Sequence, residues 1–136
     1  MDPNCLFCKI INGEIPAAKV YEDEYSYAFL DIKPINPGHT LLVPKKHYTN
    51  IYETPDELLS KLAPIIKKLS IAGKKAVGAD GMIVSMNNEP AAGQVVFHSH
   101  IHIVPRFQND GYEHWHGTPY RDGEAEKVSD QIKVCL

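Results

Sequence analysis

The sequence lacks any apolar run that approaches the roughly 20 residues needed for a membrane-spanning helix. Met1 to Cys5 also lack the basic region and the following apolar region of a secretory signal peptide. We therefore expect a cytoplasmic protein that makes no contact with a membrane.

An excess of positive charge is also missing, because 14 Lys and Arg residues are set against 17 Asp and Glu residues, a net charge of −3. Proteins that bind nucleic acid through its phosphates normally carry a basic surface. We therefore expect no nucleic-acid partner. Apolar residues make up 43% of the 136 residues, a proportion typical of a globular domain, and we expect one domain over residues 1–136.

Cysteine is scarce, and the three cysteines, Cys5, Cys8 and Cys135, are an odd number. Small secreted domains instead use an even set of cysteines paired in disulfides. Free thiols in a reducing compartment are therefore expected. The Cys-x-x-Cys spacing of Cys5 and Cys8 is by itself a weak indication of a metal site.

The hydrophobic pattern predicts several strands and one long helix. Short runs rich in aromatic and β-branched residues, bounded by turn residues, are typical of strands. They cover residues 19–21, 25–30, 40–43, 81–87 and 94–105. The long helix is predicted from Pro55 to Val77, with a Thr54 cap, an apolar stripe, a bend at Pro64 and a stop at Gly78.

Weaker apolar spacing near the end of the chain predicts a short C-terminal helix that includes Ala125, Val128 and Ile132. Strands that precede and follow one long helix favour an α+β fold over a doubly wound parallel sheet, which needs more helices. We expect about five strands in a mainly antiparallel sheet, with the long helix covering one face.

Histidine is abundant, and three of the seven histidines, His98, His100 and His102, occupy alternate positions in the last predicted strand. Alternation places these three imidazoles on one face of the sheet and Phe97 in the core. At ~3.3 Å per residue, neighbouring imidazoles lie about 6.6 Å apart and the outer two about 13 Å apart. One metal ion does not easily bind all three, so the spacing indicates a division of roles.

The residues alone leave three interpretations of this strand open. The first is an exposed sheet face that carries histidines without a function. The second is a metal enzyme in which two of the histidines and a third residue hold a catalytic zinc ion. The third makes one histidine a nucleophile and its neighbours acid, base or orienting groups, which suits phosphoryl chemistry near neutral pH.

The run from His98 to Val104 resembles the His-φ-His-φ-His-φ-φ signature of the histidine triad (HIT) family, with Gly93-Gln94 before it and Pro105-Arg106 after it. Other segments resemble the branch of this family that includes bacterial HIT proteins. They are Cys5 to Ile11, Ile15-Pro16, Val20 to Asp23, Ala28 to Ile32, Pro37 to His47 and Asn87-Asn88. The resemblance covers about residues 5–107 and leaves the tail, residues 108–136, without a matching motif.

The resemblance implies a HIT-like fold and a nucleotide hydrolase or transferase. In this family the middle histidine attacks the α-phosphate of a nucleoside derivative and forms a covalent nucleotidyl-histidine, which water resolves. Here that histidine is His100, while His102 would contact the phosphate and leaving group and His39 would support the nucleophile. We expect release of a nucleoside monophosphate, such as AMP, from a phosphoramidate or a related mixed phosphate.

The resemblance also implies a binding site for a purine nucleotide. Asp31 would accept hydrogen bonds from the ribose hydroxyls, and Phe29 and Ile32 would flank the base. The whole implied set is Phe29, Asp31, Ile32, Asn87, Gly93, Gln94, Val95, His100 and His102.

Two residues depart from the family pattern. Val95 occupies a position that is commonly Ser or Thr, so a hydroxyl near the leaving group is absent. Ser99 replaces an apolar residue on the core side of the predicted strand and therefore needs a local hydrogen-bond partner.

In the zinc-bearing branch of the family, residues equivalent to Cys5, Cys8, His47 and His98 bind one ion. A Cys₂His₂ tetrahedron has no open position for a substrate, so the implied zinc is structural. This assignment agrees with a division of roles along the strand, in which His98 serves the metal and His100 and His102 serve the substrate.

HIT proteins form two-fold dimers through the sheet and helix, so the resemblance implies a homodimer. We also expect the tail, which lies outside the resemblance, to reach the partner's nucleotide through Trp115. Three alternatives in function stay open. They are a purine-nucleotide-binding regulatory or scaffold protein with slow chemistry, a dinucleoside polyphosphate hydrolase, and a catalytic metalloenzyme.

Overall fold

Five strands and three α-helices make up the computed structural model, which describes residues 1–136. Their bounds are α1 (Leu6–Ile11), β1 (Lys19–Glu22), β2 (Ser26–Leu30), β3 (Thr40–Pro44), α2 (Asp56–Val77), β4 (Gly81–Ser85), β5 (Ile101–Arg106) and α3 (Glu124–Cys135). The strands form one sheet in the order β1-β2-β3-β5-β4, and every neighbouring pair is antiparallel. The predicted α+β class is confirmed. None of the helices has the length and apolar character that crossing a membrane requires.

Helix α2 covers one face of the sheet as a single helix of 22 residues that continues through Pro64. Its buried residues Leu62, Ile65 and Leu69 share one apolar cluster with Leu42 of β3 and residues of β2 and β5. The helix ends at Gly78, which adopts the left-handed conformation (φ 65°) that glycine tolerates without a steric penalty. The predicted long helix and its C-terminal stop are thus confirmed.

The predicted Thr54 cap of α2 is wrong. Pro55, in an extended conformation, precedes the helix, and no side chain caps its first turn. The Thr54 hydroxyl donates instead to the carbonyl of Asn50 (2.8 Å) and lies 3.1 Å from the hydroxyl of Ser99. This contact supplies the local partner that the buried Ser99 side chain requires.

Helix α1 covers the opposite face of the sheet, and the sequence pattern did not predict it. It has six residues and no capping side chain, so the local signals of a helix are weak. Its buried residues Phe7, Cys8 and Ile10 pack in a second cluster with Phe29 and other apolar residues of β2 and β3. Tertiary packing therefore determines this helix.

The long strand predicted over 94–105 is wrong in its first half, because β5 begins only at Ile101. Bonds to the segment before α2 replace a strand ladder here: the Ser99 amide donates to the Tyr48 carbonyl (2.6 Å), and Gln94 Nε2 donates to the Thr49 carbonyl (2.6 Å). The chain bends before β5 instead of continuing as a strand. Phe97 consequently lies at the surface, 49% exposed, although the strand pattern predicted that it lies in the core.

The other predicted elements differ only at their ends. The strand predicted over 81–87 stops at Ser85. The C-terminal helix is confirmed as α3, which has 12 residues and no buried side chain.

The loop between β2 and β3, residues 31–38, is closed tightly against the end of the sheet. The Asp31 amide donates to the His39 carbonyl (2.9 Å), and the His39 amide donates to the Asn36 carbonyl (3.1 Å). Gly38 has φ +92°, and a Cβ at this position would lie 3.1 Å from side-chain atoms of Pro105 and Val77. Only glycine fits this approach of the loop to β5 and the end of α2.

Candidate active site and metal centre

Antiparallel pairing of β3 with β5 brings three predicted catalytic histidines together. Leu41 is opposite His102, so His39, just before β3, lies beside that histidine, while His100 directly precedes β5. The ring centroids of His100 and His102 are 4.9 Å apart, and those of His39 and His102 are 5.2 Å apart. The three imidazoles therefore form one continuous cluster.

The proton on His100 is placed by its neighbour in the chain. The Nδ1 atom of His100 lies 2.6 Å from the carbonyl oxygen of His98, so Nδ1 carries the hydrogen and donates it. The Nε2 atom of the neutral ring then holds the free lone pair. The ring is buried and meets the edge of Phe7 at a centroid distance of 5.2 Å. His100 is thus held in the tautomer that suits a nucleophile.

A hydrogen-bond chain places the proton of His102 in the opposite way. The amide of Ile35 donates to Nδ1 of His39 (3.2 Å), so the hydrogen of that ring is on Nε2. His39 Nε2 donates to Nδ1 of His102 over 2.9 Å, and the hydrogen of His102 is therefore on its own Nε2. The cluster thus combines a lone pair on His100 with a hydrogen-bond donor on His102.

Burial keeps these imidazoles neutral. It lowers the pKa of His39 and His100, although the Asp31 carboxylate opposes the shift at both residues. Burial, followed by the neighbouring His100 and His39, lowers the pKa of His102 to about 4. At neutral pH the ring nitrogens are therefore available as one donor and one acceptor each.

Acid is expected to destabilise the folded protein, because His39 is buried and His102 is half-buried, both as neutral rings. The pKa of His102 falls from its ordinary 6.5 to about 4, so the unfolded chain binds the proton first. The free energy of unfolding then decreases as the pH is lowered from 6.5 to about 4. Urea denaturation of the protein at several pH values in this range measures the loss. His102→Gln should lose less stability over the same range, and an equal loss would contradict the shift.

The predicted nucleoside-binding residues follow one another at the end of β2, next to the histidines. Asp31 Oδ2 lies 3.8 Å from His39 Nε2, and Asp31 Oδ1 accepts from the amide of Lys33 (2.8 Å). Ile32 is 86% exposed, while Phe29 is buried against the ring of Phe7. Ile32 therefore offers an open apolar surface, whereas Phe29 lies in the core.

The predicted phosphate-binding residues form a closed turn between β4 and the histidines. Asn87 Nδ2 donates to the Ala92 carbonyl (2.8 Å), and a Cβ on Gly93 would lie 3.0 Å from that same nitrogen. Gln94 Nε2 donates to both the Thr49 and Val96 carbonyls (2.6 and 3.1 Å). Both hydrogens of the Gln94 side-chain amide are therefore used within the turn, and none is left for a phosphate.

The free hydrogen-bond donors of this turn are backbone amides. The N–H groups of Val95, Val96 and Phe97 form no hydrogen bond within the chain. Consecutive unpaired amides are suited to an anion. The side chain of Val95 is 82% exposed beside them.

The four predicted metal ligands, Cys5, Cys8, His47 and His98, converge on one point between α1 and the sheet. Their ligand atoms all lie within 4.8 Å of one another. His98 Nδ1 is 3.4 Å from Cys5 Sγ and 3.6 Å from Cys8 Sγ, and His47 Nδ1 is 3.5 Å from Cys8 Sγ. With Zn–S at about 2.3 Å and Zn–N at about 2.0–2.1 Å, a regular tetrahedron separates S from N by about 3.5 Å. The four residues therefore fit a zinc ion.

The surroundings of His98 also fit a metal ligand. Its Nε2 donates to the carbonyl of Pro44 (2.8 Å), which leaves the lone pair on Nδ1, the atom that faces the cysteines. Burial lowers the pKa of His98 to about 4, so the ring is neutral, as a ligand must be. One functional contact was missed from the sequence: Phe7, between the two cysteines, touches both His98 and His100.

Known proteins resemble this chain in sequence and in fold. Residues 12–109 match the family described as the HIT domain. Adenylylsulfatase HINT3 from Arabidopsis thaliana is 45% identical over 133 residues, covering 98% of this chain and 68% of that protein. Adenosine 5′-monophosphoramidase hnt1 from Schizosaccharomyces pombe is 37% identical over 132 residues, covering 95% of this chain and 96% of that protein.

Solved structures agree. A crystal structure of a HIT family member from Bacillus subtilis has a TM-score of 0.91 and 42% identity, and the match covers 98% of this chain and 97% of that one. A zinc-bound histidine triad family protein from Mycobacterium smegmatis has a TM-score of 0.75 and 34% identity, covering 98% of each chain. Fold and site thus define a histidine triad protein. This chain belongs to the HIT family.

Proposed function

We propose that this protein hydrolyses nucleoside phosphoramidates or related mixed phosphates and releases a nucleoside monophosphate such as AMP. The observation that carries the proposal is the hydrogen bond from His100 Nδ1 to the His98 carbonyl, because it leaves Nε2 unprotonated. Two relatives also support it, since one is named as an adenosine 5′-monophosphoramidase and the other as an adenylylsulfatase. Both names describe removal of a group from the phosphate of an adenylyl compound.

In the first step, Nε2 of His100 attacks the α-phosphorus and a P–N bond forms. The bond from phosphorus to the leaving group breaks, and the leaving group takes the electron pair. His102 Nε2 donates a hydrogen bond to the departing atom and stabilises its developing charge, a role that the chain from Ile35 through His39 prepares. Any proton that the departing group takes up comes from water. A nucleotidyl-His100 intermediate remains.

In the second step, water attacks the phosphorus and the P–Nε2 bond breaks, returning its electron pair to His100. The hydroxide of the water stays on the phosphate, and its other proton passes to the solvent, where it replaces the proton that the leaving group took up. Both histidines then have the protonation with which they began, so the cycle closes.

The substrate is placed by the residues around the cluster. We assign the ribose hydroxyls to Asp31, and the base to Ile32 with Phe29 behind it. The phosphate faces the unpaired backbone amides from Val95 onward. Asn87, Gly93 and Gln94 shape this turn, as their hydrogen bonds and close approach indicate.

We further propose that Cys5, Cys8, His47 and His98 hold a structural zinc ion, which would supply a closed Cys₂His₂ cross-link rather than an open catalytic position. The chemistry described above needs no metal. The cross-link would tie α1 to the sheet and so hold Phe7 against His100.

A homodimer is the proposed assembly. Strand β4 lies at an edge of the sheet, where its backbone groups are free to pair with a second copy. Val84 on this strand is 46% exposed, and Ile71 on α2 is 61% exposed. Trp115, 96% exposed in one chain, is then free to reach the partner's nucleotide.

Trapping the intermediate tests the function. We expect adenosine 5′-phosphoramidate, quenched in base within one turnover, to leave an adenylyl group on the protein, and fragmentation mass spectrometry to place it on His100. Base is used because phosphohistidine bonds hydrolyse in acid. An adenylyl group on another residue, or turnover without any labelled protein under these conditions, would contradict the proposed step. Running adenosine phosphosulfate and diadenosine polyphosphates in parallel identifies the preferred leaving group.

A further inference from the structure

Asp110, in the tail beyond the last strand, is the centre of a hydrogen-bond network. Its carboxylate accepts from Arg106 Nε (2.7 Å) and from the second guanidinium nitrogen (2.9 Å). It also accepts from the amides of Phe107 (3.2 Å) and Tyr112 (3.1 Å). The guanidinium of Arg106 and these donors hold the pKa of Asp110 well below its usual range. Its side chain is only 7% exposed, so this is a preformed and charged anchor.

One further donor links this anchor to the loop 31–38. Asn36 Nδ2 donates to Asp110 Oδ2 (3.0 Å) and to the carbonyl of Pro105 (2.9 Å). Asn36 belongs to the loop 31–38, which it thereby fastens to the end of β5 and to the tail. Both hydrogens of the Asn36 side-chain amide are used. An aspartate at this position has the same shape but cannot donate either hydrogen bond.

The loop held in this way carries residues of the proposed nucleoside site. Asn36 also accepts from the His39 amide through its backbone, and Asp31 and His39 are joined by a further backbone bond. Hydrogen bonds thus connect the anchor, through Asn36 and His39, to the backbone of Asp31. We therefore expect a shift of Asn36 to displace Asp31.

We propose that Asp110 is a positioning residue which, through Asn36, holds the loop 31–38 so that Asp31 meets the ribose hydroxyls. The first residues of the tail thereby set the affinity for the nucleoside part of the substrate. This inference rests on the proposed function, since it assumes that Asp31 binds ribose.

The test uses Asn36→Asp, which removes both donated hydrogen bonds and sets a second carboxylate beside Asp110. We expect the Kd for AMP, measured by calorimetry, to rise by about tenfold or more. The Kd for 2′,3′-dideoxy-AMP, which lacks the ribose hydroxyls, should change much less. A general loss of structure would weaken both ligands alike, so the ratio of the two Kd values identifies positioning. If Asn36→Asp does not fold, Asn36→Ala is compared in the same way.

Asp110→Asn tests the anchor from the other side. In either orientation of the new amide, its Nδ2 faces a donating nitrogen of Arg106, so a hydrogen bond of the anchor is lost. We expect this variant to lose part of the preference for AMP over the dideoxy analogue as well. Asp130→Asn is the matched control, because it removes one negative charge from the tail at an exposed residue that pairs only with Lys133 (3.3 Å).

The outcomes separate the two proposals. If the wild-type protein binds AMP no better than the dideoxy analogue, the ribose role of Asp31 is wrong and the positioning role of Asp110 is rejected with it. If the wild-type protein prefers AMP and Asn36→Asp keeps that preference, the proposed function stands and the positioning role is overturned. A preference lost in Asn36→Asp, reduced in Asp110→Asn and unchanged in Asp130→Asn supports it.

Discussion

Replacing His100 with alanine is expected to abolish turnover of adenosine 5′-phosphoramidate while AMP still binds. The hydrogen bond from His100 Nδ1 to the His98 carbonyl leaves the lone pair on His100 Nε2. The substitution removes this lone pair. Removing a nucleophile from a covalent mechanism typically lowers kcat by about 10⁴-fold or more. Asp31 and the unpaired amides of the turn remain in place, so the Kd for AMP should change by about threefold at most.

Steady-state kinetics and calorimetry on the same preparation measure these two effects. His114→Ala is the matched control, because it removes an exposed histidine of the tail and should leave kcat unchanged. Hydrolysis by His100→Ala at the wild-type rate would rule out the proposed nucleophile. A variant that loses AMP binding together with turnover would instead place His100 in nucleotide binding.

Replacing Cys8 with serine is expected to lower the bound zinc to well below one ion per chain and to reduce the melting temperature by about 10 °C or more. Cys8 is buried, and its Sγ lies near the ring nitrogens of both His47 and His98. A serine hydroxyl is a poor zinc ligand, so the link between α1 and the sheet would be lost.

Metal analysis of protein purified without added zinc, together with thermal unfolding, tests the site. Cys135→Ser is the control, since that thiol is exposed and far along the chain from the cluster. A well-folded, reduced wild-type protein without any bound metal would refute the site. If zinc is structural, Cys8→Ser that is still folded keeps much of its kcat, whereas a catalytic zinc would make kcat fall in proportion to the metal.

Much of the fold follows from local sequence. In the hairpin of β1 and β2, the Asp23 carboxylate accepts from the amides of Tyr25 and Ser26 (2.9 and 2.7 Å), so residues within the turn itself stabilise it. Helix α2 follows from a long apolar stripe that ends at Gly78. Such features depend on residues close together in the chain, and the sequence predicts them well.

The sequence predicts which residues make up the candidate site. The alternate spacing of His98, His100 and His102 indicated separate roles, and the structure turns His98 toward the cysteines while His100 and His102 lie together. The family resemblance supplied the names of the other residues, Cys5 and Cys8 among them. Their functional roles stay predictions until the variants are measured.

Sequence alone determined which residue types are available and the strands and helix that follow from their periodicity. Only the tertiary structure decided where the protons lie, because the carbonyl that fixes His100 and the amide that fixes His39 are set by how the chain bends around them. It also decided that the chain bends before β5 and that α1 forms, since both depend on contacts with distant segments. The link from Asp110 to Asn36 spans 74 residues of sequence, and no local pattern encodes a contact of that range.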